Sequence, residues 1–202
     1  MTNKPFPVVS KPSVAGFSSV LVRRATRADA AALARFNVAL ARETEGRALD
    51  PATVRRGVAA VFRDRRRGFY LVATLRARAA ARDNAAKPET RRPRSRGRPV
   101  GGLLVTFEWS DWRAAPFLWI QSVYVERSAR ARGVFRALYG AVVREARRRG
   151  ACGLRLYVEK SNARAKAVYR RLGMGPTHYE LYESVTRVTL SNTSDGRAER
   201  PK

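Results

Sequence analysis

From Ile120 to Leu138 the chain reads IQSVYVERSARARGVFRAL, an apolar strand, an arginine-rich turn containing Gly133 and an amphipathic helix in direct succession. A strand that feeds straight into a helix leaves the first N–H groups of that helix without intrahelical partners, beside the edge of a sheet. Those donors and the positive end of the helix dipole attract an anion. Gly133 lets the anion approach the backbone closely.

The flanking sequence shows what such a unit belongs to. Val20 to Arg24 has strand character, and Thr26 with Asp29 stands at capping-box spacing, Asp replacing Glu. A helix is expected over 27–42, with Leu33, Phe36, Asn37 and Leu40 on one mostly apolar face. Asp50-Pro51 pairs an N-cap with proline at the first helical position, and Val54, Val58, Val61 and Phe62 continue at helical spacing. Strands are expected at Phe69 to Leu75, Val100 to Glu108 and Phe117 to Val125, as an antiparallel meander.

Beyond the turn, Val134, Leu138, Ala141, Val142 and Ala146 mark one face of a helix, and Arg147, Arg148 and Arg149 suit its negative end. Leu154 to Val158 reads as a strand. Ser161-Asn162 opens a last helix through Ala165, Val168, Tyr169 and Leu172 to Gly173, with two more strands expected after Met174. The order describes a mixed α/β (α+β) sheet with helices on its faces.

At 202 residues the chain suits one domain with tails. The expected domain spans 20–190, preceded by a disordered head (1–19) and followed by a disordered tail (191–202). Between positions 76 and 99, nine basic and two acidic residues lie among Ala and Pro. So little apolar surface does not offset the entropy of ordering, and the segment reads as a flexible insertion between two strands.

The net charge of +26 points toward a polyanionic partner. Nearly all of it is arginine accompanied by heavy alanine use, a bias that coding-DNA composition produces without a ligand. No aromatic residue interleaves with the basic residues of 76–99, so nucleic acid is an alternative partner but not the favoured one. A lone Cys152 excludes an intrachain disulfide and a cysteine-based zinc cluster, and no metal site is expected. It also fits a reducing compartment, so a cytoplasmic location is expected. No apolar run has the length of a membrane span. The acid-free first 28 residues loosely resemble an organellar transit peptide, but Pro5, Pro7 and Pro12 interrupt any helix there.

On two motifs the chain resembles the GNAT superfamily of acyl-coenzyme A-dependent N-acetyltransferases. Its pyrophosphate pattern is Arg or Gln, two residues, Gly, one residue, then Gly or Ala. Arg130-Ala131-Arg132-Gly133-Val134-Phe135 matches four positions and departs at the sixth, where Phe135 either opens the loop or turns into the core. Downstream, Val158-Glu159-Lys160-Ser161-Asn162 with Ala165, Tyr169, Leu172, Gly173 and Met174 resembles the family's closing motif. The resemblance covers roughly 20–188 with the insertion set aside, and implies a mostly antiparallel central sheet flanked by helices on both faces.

It also implies acetyl-CoA as co-substrate. Backbone groups along Val123, Tyr124 and Val125 would pair with the pantetheine. The N–H groups of Arg132, Gly133, Val134 and Phe135 and the Arg130 guanidinium would meet the pyrophosphate, with Ala131 completing the loop. Asn162 is an N-cap, a cofactor contact or both. Tyr169 is the candidate general acid, since a phenol stays protonated at neutral pH, though a helix-face aromatic that only packs is the plainer reading.

Many relatives carry a Glu on the strand before the loop, where this chain has Gln121, which cannot accept a proton and is expected instead as an acceptor contact. Glu108 and Asp111, with Glu43 and Glu45 after the first helix, are the carboxylates left as base or acceptor ligands. Glu43 and Glu45 otherwise simply solvate a helix end. Trp109, Trp112 and Tyr124 either wall the acceptor pocket or, for the tryptophans, pack in the core. The expected reaction is acetyl transfer to a primary amine, a small cationic amine being slightly favoured over a protein amine. The alternative is a binding module of the same fold that holds RNA or ribosomes through its basic segments. A homodimer is left open.

Overall fold

A computed structural model describes residues 20–76 and 97–184. The expected head, most of the insertion and the tail lie outside the described residues. Five strands, β1 (Val20–Arg24), β2 (Phe69–Leu75), β3 (Pro99–Ser110), β4 (Ala115–Val125) and β5 (Gly153–Leu156), form one sheet in that order. Neighbours run antiparallel except β4 and β5, which pair in parallel. α1 (Ala30–Glu45) and α2 (Pro51–Arg63) cover one face, and α3 (Val134–Arg148) covers the other. α4 (Ala163–Arg171) follows β5.

Local chemistry sets the helix starts. Asp50 accepts from the N–H groups of Ala52 and Thr53 at 3.2 and 2.8 Å, so Pro51 loses nothing by lacking one. Thr26 N–H donates to Asp29 at 2.8 Å, closing the capping box. Residues 27–29, expected as α-helix, form a 3-10 turn instead, and α1 begins at Ala30. Asp29 is drawn inward by Arg23, whose guanidinium grips both its oxygens at 2.7 and 2.9 Å. That bidentate pair holds the Asp29 carboxyl below its usual range and fixes α1 against β1.

The larger core lies between α3 and the sheet, where Leu138 and Val142 meet Leu103, Val105 and Leu118, all fully buried or nearly so. Opposite it, Leu33, Phe36 and Val58 pack on Tyr70 and Val72. Gly102 makes this second contact possible. A Cβ there would stand 2.9 Å from the Leu33 side chain and 3.1 Å from the Leu71 carbonyl.

At the far end of α3, Glu145 gathers three arginines. Arg24 reaches it at 2.6 Å, Arg148 at 2.8 Å and Arg149 at 2.7 Å. Arg24 also lies 3.4 Å above the Phe69 ring. One carboxylate thus ties β1 to the C-terminal turn of α3, where positive charge is favoured.

The two strands expected after Met174 are absent among the described residues, which show none over 175–184. Gly175 and Pro176 interrupt the chain there, and Tyr179, Leu181 and Tyr182 remain exposed rather than meeting a sheet face.

Gly102→Ala is expected to destabilise the protein by about 1–3 kcal/mol through overpacking between α1 and β3, read as a lower urea midpoint at unchanged slope. Glu145 gives a pH signature. Its carboxyl is held down to about 2 from 4.5, chiefly by the Arg148 hydrogen bonds. A depressed carboxyl contributes its stability above the unfolded value and loses it as pH falls from there through the folded one. Glu145→Gln should therefore cost on the order of 1 kcal/mol at pH 7, a modest figure because the arginines reach solvent. The gap from wild type should close between pH 4.5 and 2; a gap constant over that range would refute the assignment.

Candidate active site

The register of β3 against β4 slips once. Leu104 opposes Ser122 while Val105 opposes Ile120, so Gln121 is an extra residue in β4. Such a bulge bends the strand and resets which side chains face which way. Leu118 and Ile120 face α3 before it, and Val123 and Val125 after it, a spacing of three in place of two. Tyr124 is thereby turned toward α1, its ring 5.5 Å from Phe36. The phase change is visible in the sequence as the interval from Ile120 to Val123, and it is the signal that alternation alone overlooks.

The bulge also marks where β4 and β5 part. β5 pairs only with Phe117 to Ile120. Past Gln121, the edge of Ser122 to Val125 has no strand partner on the β5 side among the described residues. The N-terminus of α3 lies just beyond this edge. Its N-cap is Gly133, in the left-handed region at φ 76°, and no side chain caps the first turn. Ala131 is left-handed as well, at φ 61°, a conformation that disfavours any residue with a Cβ. Two left-handed residues in the turn and uncapped N–H groups behind them form a concave set of donors suited to phosphate oxygens.

Arg130 is held at this loop by its own strand. Its Nε donates to the Val125 carbonyl at 3.0 Å. Phe135 is turned inward: its ring packs edge-on to Tyr169, centroids 5.5 Å apart, and lies 6.2 Å from Tyr139. The loop therefore accommodates Phe135 through the core. α4 is opened by Asn162, whose side-chain oxygen accepts from Ala165 N–H at 3.0 Å, so Asn162 is an N-cap. Tyr169 sits two turns later, half-buried, and burial pushes its phenol above the ordinary value of 10.0. No described residue hydrogen-bonds its hydroxyl.

The expected acceptor residues do not form one cluster. Glu43 accepts from the Tyr124 hydroxyl at 2.8 Å and from Arg130 at 2.6 Å, with Arg127 at 3.3 Å. Glu108 is ion-paired with Arg155. Glu45 pairs with Arg47 at 3.6 Å, and Asp111 accepts from Trp112 N–H at 2.8 Å. Core packing of Trp109 and Trp112 does not occur: they are 66% and 83% exposed, because they sit at the solvent end of the β3–β4 hairpin. Gln121 is exposed on the bulge.

Several partners have no local sequence signal. The Trp119 and Tyr157 rings meet at 51° with centroids 4.7 Å apart, and the Trp119 indole N–H is buried without a partner among the described residues. Arg155 lies 3.9 Å over Phe117, beside Glu108. Together these side chains line the part of β3, β4 and β5 adjoining the bulge.

Comparison with known proteins agrees with this geometry. The family model for the Acetyltransferase (GNAT) family matches residues 93–174, which include β3, the bulge, the turn from Arg130 to Gly133 and α4. A solved structure described as a possible acetyltransferase from Clostridium difficile 630 is 36% identical, with TM-score 0.68, and the match covers 83% of this chain and 98% of that one. A ribosomal-protein-alanine N-acetyltransferase from Brucella melitensis biovar Abortus 2308 shares the fold at 15% identity and TM-score 0.58, over 83% and 99% of the two chains. An aminoglycoside N-acetyltransferase in complex with CoA does so at 13% and 0.59, over 83% and 95%. No curated protein matches at the sequence level. No described helix is long and apolar enough to cross a membrane. With a bulged β4 parting from β5 beside an uncapped α3, and a relative more than one-third identical over nearly its whole length, the chain belongs to the GNAT acetyltransferase family and is an acetyl-CoA-dependent N-acetyltransferase.

Proposed function

We propose that the protein transfers acetyl from acetyl-CoA directly to a primary amine, with Tyr169 as the general acid. The observation that carries this reading is the conjunction of three features at one place: the unpaired β4 edge, the donor-lined start of α3 and a half-buried tyrosine anchored to it through Phe135. The β4 edge at Val123 to Val125 would hold the pantetheine amides, and the loop from Arg130 to Phe135 the pyrophosphate.

Transfer forms a C–N bond and breaks a C–S bond. The Tyr169 hydroxyl gives its proton to the departing sulfur, and the amine loses one to solvent. Burial keeps the phenol protonated across the neutral range, which suits an acid and would defeat a base.

The expected preference for a cationic amine rested on four carboxylates. Glu43, Glu45 and Glu108 are each ion-paired with arginine, which weakens the case for a cationic acceptor and leaves it resting on Asp111. The Trp119 and Tyr157 rings, tilted at 51° to each other, offer an aromatic surface as well. A panel of primary amines, including small polyamines, amino sugars and peptide amino termini, tests this directly by thiol release and product mass. Amine-independent thiol release alone would contradict it.

Tyr169→Phe is expected to lower kcat about 100-fold or more while leaving the KM for acetyl-CoA within about twofold. In the wild type, loss of rate through Tyr169 ionisation should appear only above pH 10, since the phenol is shifted upward. A Phe variant with full turnover would remove the acid assignment.

A further inference from the structure

Glu43 is the residue whose surroundings its expected role does not explain. It lies in the last turn of α1, where the helix dipole disfavours a carboxylate. Yet it collects the Tyr124 hydroxyl, the Arg130 guanidinium and Arg127. These partners come from the end of β4 and from the loop behind it, more than eighty residues away in sequence. Arg130 is thus fixed at two points, Nε on the Val125 carbonyl and Nη2 on Glu43, with its guanidinium carbon 5.6 Å from the Tyr124 ring centroid. A long side chain held at both edges loses little freedom when a further ligand binds it.

We propose that Glu43 is a positioning residue for cofactor recognition: it orients Arg130 toward the pyrophosphate, and it does not contact the acceptor amine. This rests on the reading of the Arg130 to Phe135 loop as the pyrophosphate seat. Arg127 and Arg130 together outweigh the charge of Glu43, so orientation dominates over its repulsion of a diphosphate. The arginines, Arg130 foremost, hold the Glu43 carboxyl below its usual range, and it stays charged throughout neutral pH.

The test compares acetyl-CoA with acetyl-pantetheine, a thioester that lacks the pyrophosphate. Glu43→Ala should raise the KM for acetyl-CoA about tenfold, with kcat within about twofold and the KM for acetyl-pantetheine unchanged. Glu43→Gln, which keeps an acceptor oxygen, should recover part of the loss. The Glu43→Ala, Arg130→Ala double variant should be no worse than Arg130→Ala alone, because both act through one guanidinium. Calorimetric titration with CoA gives the same comparison without turnover.

If Arg130→Ala weakens acetyl-CoA and Glu43→Ala leaves it unchanged or tightens it, the positioning role is overturned and the pyrophosphate seat stands. If Arg130→Ala has no effect on either thioester, Arg130 does not read the pyrophosphate and the proposal falls with it; if the wild type binds acetyl-CoA no better than acetyl-pantetheine, the seat itself is wrong. An equal loss on acetyl-pantetheine would mark Glu43 as merely structural and overturn the proposal.

Discussion

The extra residue in β4 is the constraint on which the site depends. With strict alternation, Ile120 would be followed on the α3 face by Ser122 and Tyr124, placing a hydroxyl and a phenol in an apolar core. Insertion of Gln121 sends Val123 and Val125 there instead and releases Tyr124 toward α1. The same displacement coincides with the end of the β5 ladder. One residue therefore repairs the core, frees a backbone edge and brings Tyr124 within reach of Glu43.

What could be read from the sequence follows the range of the interactions concerned. Thr26 with Asp29, Asp50 with Thr53, and Asn162 with Ala165 act across three residues, so their caps were legible before any tertiary structure. The amphipathic face of α3 was legible for the same reason, since every fourth residue repeats one local environment. Links between α1 and the β4–α3 turn, or between β3 and β5, depend on how the sheet is assembled and leave no mark within a short window. The strands expected after Met174 show the converse failure. Strand-like composition creates a strand only where an edge accepts it, and the described residues of that segment find none. Trp109 and Trp112 were read by residue type, but a hairpin end overrides the tendency of tryptophan to be covered.

The arginine surplus takes a more ordered form in the folded protein than in the composition. Acidic residues serve as hubs: Glu145 organises three arginines at one end of α3, and Glu43 organises two at the other. Each hub joins elements remote in sequence, β1 to α3 in the first case and α1 to the β4–α3 turn in the second. A chain so rich in positive charge depends on the placement of its few carboxylates, and near the site they are occupied in holding the framework.

α4 has a different standing from the rest. It contributes no fully buried side chain, and the helix holding Tyr169 is anchored largely by partly buried contacts such as the one with Phe135. Elements of that kind belong to the low end of local stability and open without unfolding of the sheet. Phe135, the departure from the family's small residue, is thus a point where the well-buried α3 touches this weakly covered helix. The placement of the proposed acid therefore depends on contacts such as this one rather than on burial of its own helix.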